Sequence, residues 1–475
     1  MEISFPISSA PGQNSAENGG RLINAHVEYA PEGSRSKYRW ASAPGLTAAK
    51  ALGSGDFRGA LKFGSTLVVV NDDDCWSLDS DYAETVISTG GITNDGEPVI
   101  MARNMRAIPQ IMLICGDGTA FKIESGAATS FTDSDLPAPN SVCFKDGYFF
   151  FGIGDGRCFA SGLNDVTVSS LDWTRAESSP DALVRVFPIP AGLVLAGENS
   201  SEIFANTANP SGFPFSRSTV LPFGLFGKYA VTGFEEGFTG APLMVDNGGI
   251  VRQIIGYADQ PVSTPAVEKL INDIADRNTL IASCYMMRGQ PIYVLSCADW
   301  TLEFLPASTK GPAHWAERKS YGSGRWRVGT LVNAFDKWLA LDVAGNAILE
   351  VTPGRRYEDT DPLIWKVRST QMHRFPARAT IWKASFDMQT GVGNDTGAYP
   401  IETNPQIGIA LSFDGGRTFG NPWLRSLGTQ GQITPIDVNR CGNSKRFGVQ
   451  WELTVSDPVE VTLYGGAMDI EERAA

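Results

Sequence analysis

Histidine is nearly absent: the chain has only three, His26, His314 and His373, in 475 residues. They never stand in HxH or HExxH spacing, so a zinc centre or a Ser-His-Asp triad has little to be built from. No GxSxG elbow occurs. The seven cysteines (Cys75, Cys115, Cys143, Cys158, Cys284, Cys297, Cys441) contain no CxxC pair, and most sit among apolar residues, as in Leu113-Ile114-Cys115. An odd set of this kind reads as reduced thiols packed as small hydrophobes. The opening MEISFPISSAPGQNSAENGG lacks the basic start and apolar run of a signal peptide. No stretch approaches the roughly 20 apolar residues that cross a bilayer. These absences set the first expectations: a soluble protein made in the cytosol, with no membrane anchor, no catalytic residue, no cofactor and no metal.

Basic residues are also short. The chain carries 39 Lys and Arg against 52 Asp and Glu, a formal charge of −13. From residue 355 onward there are 13 basic against 14 acidic residues, which leaves 26 against 38 before it. An acidic surface of that kind repels nucleic acid, because tight non-specific binding needs clustered Lys and Arg on phosphates. It is equally suited to simple solubility.

What the chain does have is a recurring hairpin: a short apolar strand, a Gly/Asp/Asn/Ser turn, and a second alternating strand. Seven segments fit: TLVVVNDDDCWSL (66–78), QIMLICGDGTAFKI (110–123), GYFFFGIGDGRCFA (147–160), GLVLAGENSSEIFA (192–205), PLMVDNGGIVRQII (242–255), PIYVLSCADWTLEF (291–304) and WLALDVAGNAILEV (338–351). Their starts lie 37 to 50 residues apart, the spacing of four-stranded propeller blades. Each hairpin supplies two strands and the intervals supply the others. Helical periodicity is scarce; the best candidate runs from Thr264 as N-cap through Pro265 to Ala275. The fold class expected is therefore all-β: a β-propeller of six or seven blades over 45–355, preceded by an N-terminal extension, 1–44, contributing a strand. After the polar turn 351–359, longer alternating strands such as ATIWKASFDM (379–388) and FGVQWELTV (447–455) suggest a C-terminal antiparallel β-sandwich domain over 356–475.

Several segments imitate chemistry. Gly152-Ile153-Gly154-Asp155-Gly156 sits inside a hairpin, not at the strand-to-helix step a phosphate loop needs. Asn71-Asp72-Asp73-Asp74 lacks the alternate carboxylates and later Glu of a calcium loop. Ser412-Phe413-Asp414-Gly415-Gly416-Arg417-Thr418-Phe419 resembles an Asp-box, in which the polar side chains satisfy a tight turn. His314-Trp315-Ala316-Glu317-Arg318 and Gly324-Arg325-Trp326-Arg327 could form a sugar or nucleic-acid platform, but read better as strands with a packed Trp.

Taken in order, several motifs resemble one family. Arg21-Leu22-Ile23-Asn24-Ala25-His26-Val27-Glu28 precedes Ala43-Pro44-Gly45-Leu46-Thr47 and Phe57-Arg58-Gly59; Ala176-Glu177-Ser178-Ser179-Pro180-Asp181 precedes Ser201-Glu202-Ile203-Phe204 and Gly224-Leu225-Phe226-Gly227-Lys228; LSFDGGRTFGNPW, RSLGTQGQ and SDPVEVTLYGGAMDIE close the chain. This order is similar to the packaged-DNA stabilisation proteins, the tail hub or nozzle proteins of short-tailed bacteriophages. The family's late WRRLG segment reads Val438-Asn439-Arg440-Cys441-Gly442 here. The resemblance implies a structural virion protein in six copies, below the head-to-tail adaptor ring. Such a ring retains packaged double-stranded DNA, passes it through its lumen without sequence-specific binding, and carries tailspikes and the needle or plug protein. Candidate interface turns are Pro44 and Gly45, Glu177 with Pro180 and Asp181, and Asp414. The competing expectation is a propeller-type glycoside hydrolase acting on host-surface polysaccharide, which needs paired carboxylates at a blade mouth.

Overall fold

Alternation along the apolar strands decides what they pack against. In Thr66–Asn71, Leu67 and Val69 join a core with Leu339, Leu341 and Ile348, whereas Val68 and Val70 join one with Ile111 and Leu113. The next sheet repeats the division: Ile111 and Leu113 face back, while Met112 and Ile114 meet Phe149 and Phe151. Phe150, between those two, turns instead to Leu193, Leu195 and Phe215. A strand whose two faces are both buried reads as an unbroken apolar run, and successive side chains serve opposite neighbours.

The structure is a computed structural model describing residues 1–10, 19–209, 212–343, 345–373, 378–445 and 448–473. The chain forms two compact units, 48–286 with 328–350, and 1–47 with 287–327 and 351–475. The first is the propeller. It contains five complete four-stranded antiparallel meanders, over 57–88, 100–130, 141–175, 183–221 and 231–261, and a further antiparallel run over 328–350. The core shared by 328–350 and the 57–88 sheet brings the end of this unit back to its beginning.

All seven expected hairpins form, and within each complete sheet they are the second and third strands. The hairpin of 66–78 closes at Asn71↔Asp74, with Asp72 at φ 49, a left-handed angle that Asp tolerates. Ala344, in the turn of the seventh expected hairpin, and Phe447, at the start of an expected strand, lie outside the described residues. The one α-helix among the described residues is Pro265–Asn272; Thr264 holds the N-cap position without a side-chain capping bond. It stops short of Ala275, where the Asp273 amide closes back on the Lys269 carbonyl.

The second unit gathers distant pieces of chain. One sheet runs in the order Ala25–Tyr29, Tyr38–Ser42, Thr462–Arg473, Arg378–Met388, Ile436–Asn443. The other orders Gln290–Ser296, Thr301–Leu305, His314–Arg318, Arg21–Ile23, Trp365–Arg368, Gln450–Val455, Gln406–Ser412, Trp423–Ser426. Trp40, Phe386, Ile409, Trp451 and Leu463 share one core between the two sheets. The 1–44 segment gives three strands to this unit, more than the single strand expected of it. Residues 287–327, read from hairpin spacing as continuous with the other blades, cluster with the chain ends. Their partners cannot be seen in a repeat: Arg21–Ile23 runs parallel to His314–Arg318 and antiparallel to Trp365–Arg368.

Candidate functional site

The turns singled out from sequence occupy different surroundings. Pro44 and Gly45 are buried. A Cβ on Gly45 would strike the carbonyl oxygens of Tyr357 and Arg355, so only glycine admits the chain there. Glu177 and Pro180 are exposed. Asp181 caps a neighbouring turn, its Oδ2 accepting the Asn199 amide at 2.5 Å and the Ser200 amide at 3.3 Å. Asp414 holds its own hairpin: Oδ1 accepts Ser412 Oγ (2.8 Å) and the amides of Arg417 and Thr418 (3.0 and 2.9 Å), and Oδ2 accepts Thr418 Oγ1 at 2.6 Å. Burial alone would raise the Asp414 carboxyl, but these donors outweigh it and hold it near 2.

Around Pro44 the terminal-segment unit conceals a charged cluster. Arg318, fully buried, donates from Nη2 to the Pro44 carbonyl at 3.0 Å and lies 4.4 Å from the Trp326 ring centroid. Its guanidinium stands 3.4 Å from Glu303 and 3.5 Å from Glu358. His26 Nε2 meets the other Glu303 oxygen at 2.7 Å, and Glu358 accepts Trp326 Nε1 at 2.8 Å and the Ser320 hydroxyl. Burial raises the Glu358 carboxyl against the opposing pull of Arg318, Ser320 and Trp326. His314 accepts the Val27 amide on Nε2 at 3.1 Å and sets Nδ1 2.8 Å from the Pro312 carbonyl, so its proton lies on Nδ1. Burial pushes this imidazole down to about 4, with His26 adding to the effect and the Pro312 carbonyl opposing it. The two histidines, 288 positions apart in sequence, bring their rings to 6.4 Å.

The segments that imitate sites are absorbed into packing. Trp315 and Trp326 are buried, at 2% and 0% exposure, and so offer no stacking platform. Gly156 donates to the Ile153 carbonyl at 3.1 Å, a turn within its hairpin. All seven thiols are free and buried, and burial pushes Cys75 up to about 12, so none is a ready nucleophile. Among the described residues no three His, Cys, Asp or Glu side chains are grouped to hold a metal.

Inside the propeller unit, first strands of its sheets converge on a cavity of about 550 Å³. Its walls mix apolar side chains (Val99, Met101, Phe144, Leu331) with the cations Arg58, Lys62, Arg103 and Arg185 and the acids Glu235 and Glu236. Arg58 is paired with Asp95, while Lys62 and Arg103 share Glu236 at 3.3 and 2.7 Å. Glu235 accepts from Thr232 Oγ1 and the Gly233 amide, both at 2.6 Å, and from Cys284 Sγ at 3.1 Å. None of this was visible in sequence beforehand. The hairpin repeat locates the middle strands of each sheet, whereas the cavity is built from the irregular intervals between hairpins.

A family model described as "Bacteriophage P22 Gp10, beta-propeller" matches residues 22–353. Among solved structures, the WD40 β-propeller domain of Doa1 is 10% identical with a TM-score of 0.40, over 65% of this chain and 97% of that one. BamB from Moraxella catarrhalis is 14% identical with a TM-score of 0.39, over 68% of this chain and 93% of that one. No curated protein matches.

Proposed function

Because the chain belongs to the bacteriophage P22 Gp10 β-propeller family, and is accordingly a structural protein of the phage virion, we propose that it forms the tail hub. In this reading about six copies close a ring below the head-to-tail adaptor, retain packaged DNA, form the ejection conduit and carry tailspikes and the needle. The observation that carries it is the extent of the match: residues 22–353 take in the whole propeller unit and the strands Arg21–Ile23 to Tyr38–Ser42 almost entirely. The charge distribution supports it, since an acidic wall lets phosphates pass without gripping them. The exposed 177–180 turn is the more accessible of the candidate contact points; Pro44 and Gly45 act from within, by fixing the strand that follows. The family match gives the hydrolase alternative no support.

The test uses heads packaged with DNA but lacking this protein. Added protein should bind and lower nuclease access to the DNA in a saturable way. Binding without protection would remove the DNA-retaining role, and absence of binding would remove the hub reading altogether.

A further inference from the structure

Of the four cations on the propeller cavity, one stands without an ion-pair partner among the described residues. Arg185 makes no ion pair with any described residue, and its one hydrogen bond runs from Nη1 to the Lys228 carbonyl at 2.9 Å. Its guanidinium sits 5.6 Å from the Phe234 ring centroid, and Phe234 in turn stacks on Phe187 at 6.0 Å. Glu235, the acid that acts on it electrostatically, already accepts three hydrogen bonds. Nε is shut away from solvent without an acceptor. Burial pulls the Arg185 guanidinium down from its ordinary value, with Glu235 opposing, which records the cost of keeping this cation out of water. Arg185 as a whole is half-buried, with Nε the part closed to solvent. A cation partly desolvated in this way and lacking an ion-pair partner is costly, and an incoming anion that pairs with it in a forked geometry recovers much of that cost.

The rest of the wall narrows the ligand class. A simple inorganic anion would leave Val99, Met101, Phe144 and Leu331 facing water, whereas a purely apolar molecule would leave Arg185 unmet. The volume falls within the roughly 300–1,000 Å³ of small-molecule sites. We propose that this cavity binds an amphipathic carboxylate, an apolar chain ending in a carboxyl group, with Arg185 as the anchor for its charged end. The inference is independent of the hub role, since it concerns the inside of one propeller.

The test is a fluorescence titration of the full-length protein with 11-(dansylamino)undecanoate, whose emission rises as it leaves water, and with its methyl ester. One saturable site per chain is expected, with the acid binding about tenfold or more tighter than the ester. Arg185→Gln should bring the acid down to the affinity of the ester, and Arg185→Lys should restore part of the difference. Arg157→Gln, at a cation paired with Asp155 away from the cavity, should leave the acid-to-ester ratio unchanged. Equal binding of acid and ester by the wild-type protein, or undiminished acid binding by a folded Arg185→Gln variant, overturns the proposal. Should that variant fail to fold, competition on the wild type decides: decanoate displaces the probe and decylammonium does not, and displacement by both alike also overturns it.

Discussion

The two units hold together by different means. In the propeller each complete sheet is one stretch of chain, and each strand pairs with its predecessor in sequence. In the other unit Arg21–Ile23 lies between His314–Arg318 and Trp365–Arg368, and charges are buried around the junction. Meanders close short loops, whereas pairing strands some 290 positions apart, as at Ile23↔Glu317, closes a very long one. Damage to the propeller should therefore stay near the altered sheet. The terminal-segment unit depends instead on a few contacts that join all its pieces. The chain carries its own reporters: Trp40, Trp300, Trp315, Trp326, Trp365, Trp382, Trp423 and Trp451, eight of the 11 tryptophans, lie in the terminal-segment unit. Cys75, Cys115, Cys143, Cys158 and Cys284, five of the seven cysteines, lie in the propeller. Tryptophan emission in urea thus weights the terminal-segment unit, and thiol reactivity the propeller.

The largest effect is expected from Arg318→Leu, which strands Glu303 and Glu358 in a buried site and should cost about 3–5 kcal/mol. The tryptophan transition should move to lower urea while thiol exposure stays in place; equal movement of both would break the comparison. Leu195→Ala in the propeller, at a side chain 0% exposed, should cost about 2–5 kcal/mol and appear first as reactivity of Cys143 and Cys158, which share its core.

Acid sharpens the contrast further. His314 falls from an ordinary 6.5 to about 4 in the folded chain, so its contribution is complete above 6.5 and is lost as pH falls through 4. Unfolding takes up a proton across that window, a loss of about 3 kcal/mol for a full shift. Glu358, raised by burial, acts in the other direction, its contribution being lost as pH rises through its folded value. His314→Gln isolates the histidine: tryptophan-reported stability should fall less between pH 6.5 and 4 in the variant than in the wild type. The smallest effects are a matched pair of turn carboxylates. Asp414→Ala and Asp181→Ala should each cost about 1 kcal/mol, the first read by tryptophan and the second by thiols.

Much of the propeller was legible because its signal is local. VVV, IMLI, FFF and LVLA announce strands buried on both faces, and the Asp and Gly turns between them announce hairpins. The Asp414 turn was legible for the same reason, since Ser412, Asp414 and Thr418 satisfy one another within seven residues. The buried cluster was not, because Pro44, His26, Glu303, Arg318 and Glu358 carry no shared pattern until long-range pairing brings them together. His26 and His314 look unrelated when read along the chain and are ring neighbours in space.

By itself, then, the sequence determined the all-β class, the repeating hairpins, the acidic balance and the ordered motifs that resemble the phage family. Those properties depend on side-chain alternation and turn chemistry over a dozen residues. The tertiary structure alone decided which unit 287–327 joins, that Pro44 and Gly45 lie inside, and that Arg185 stands beside a cavity without an ion-pair partner among the described residues. Each of these depends on which distant residues become neighbours, and burial then sets the electrostatic cost of the groups that meet there.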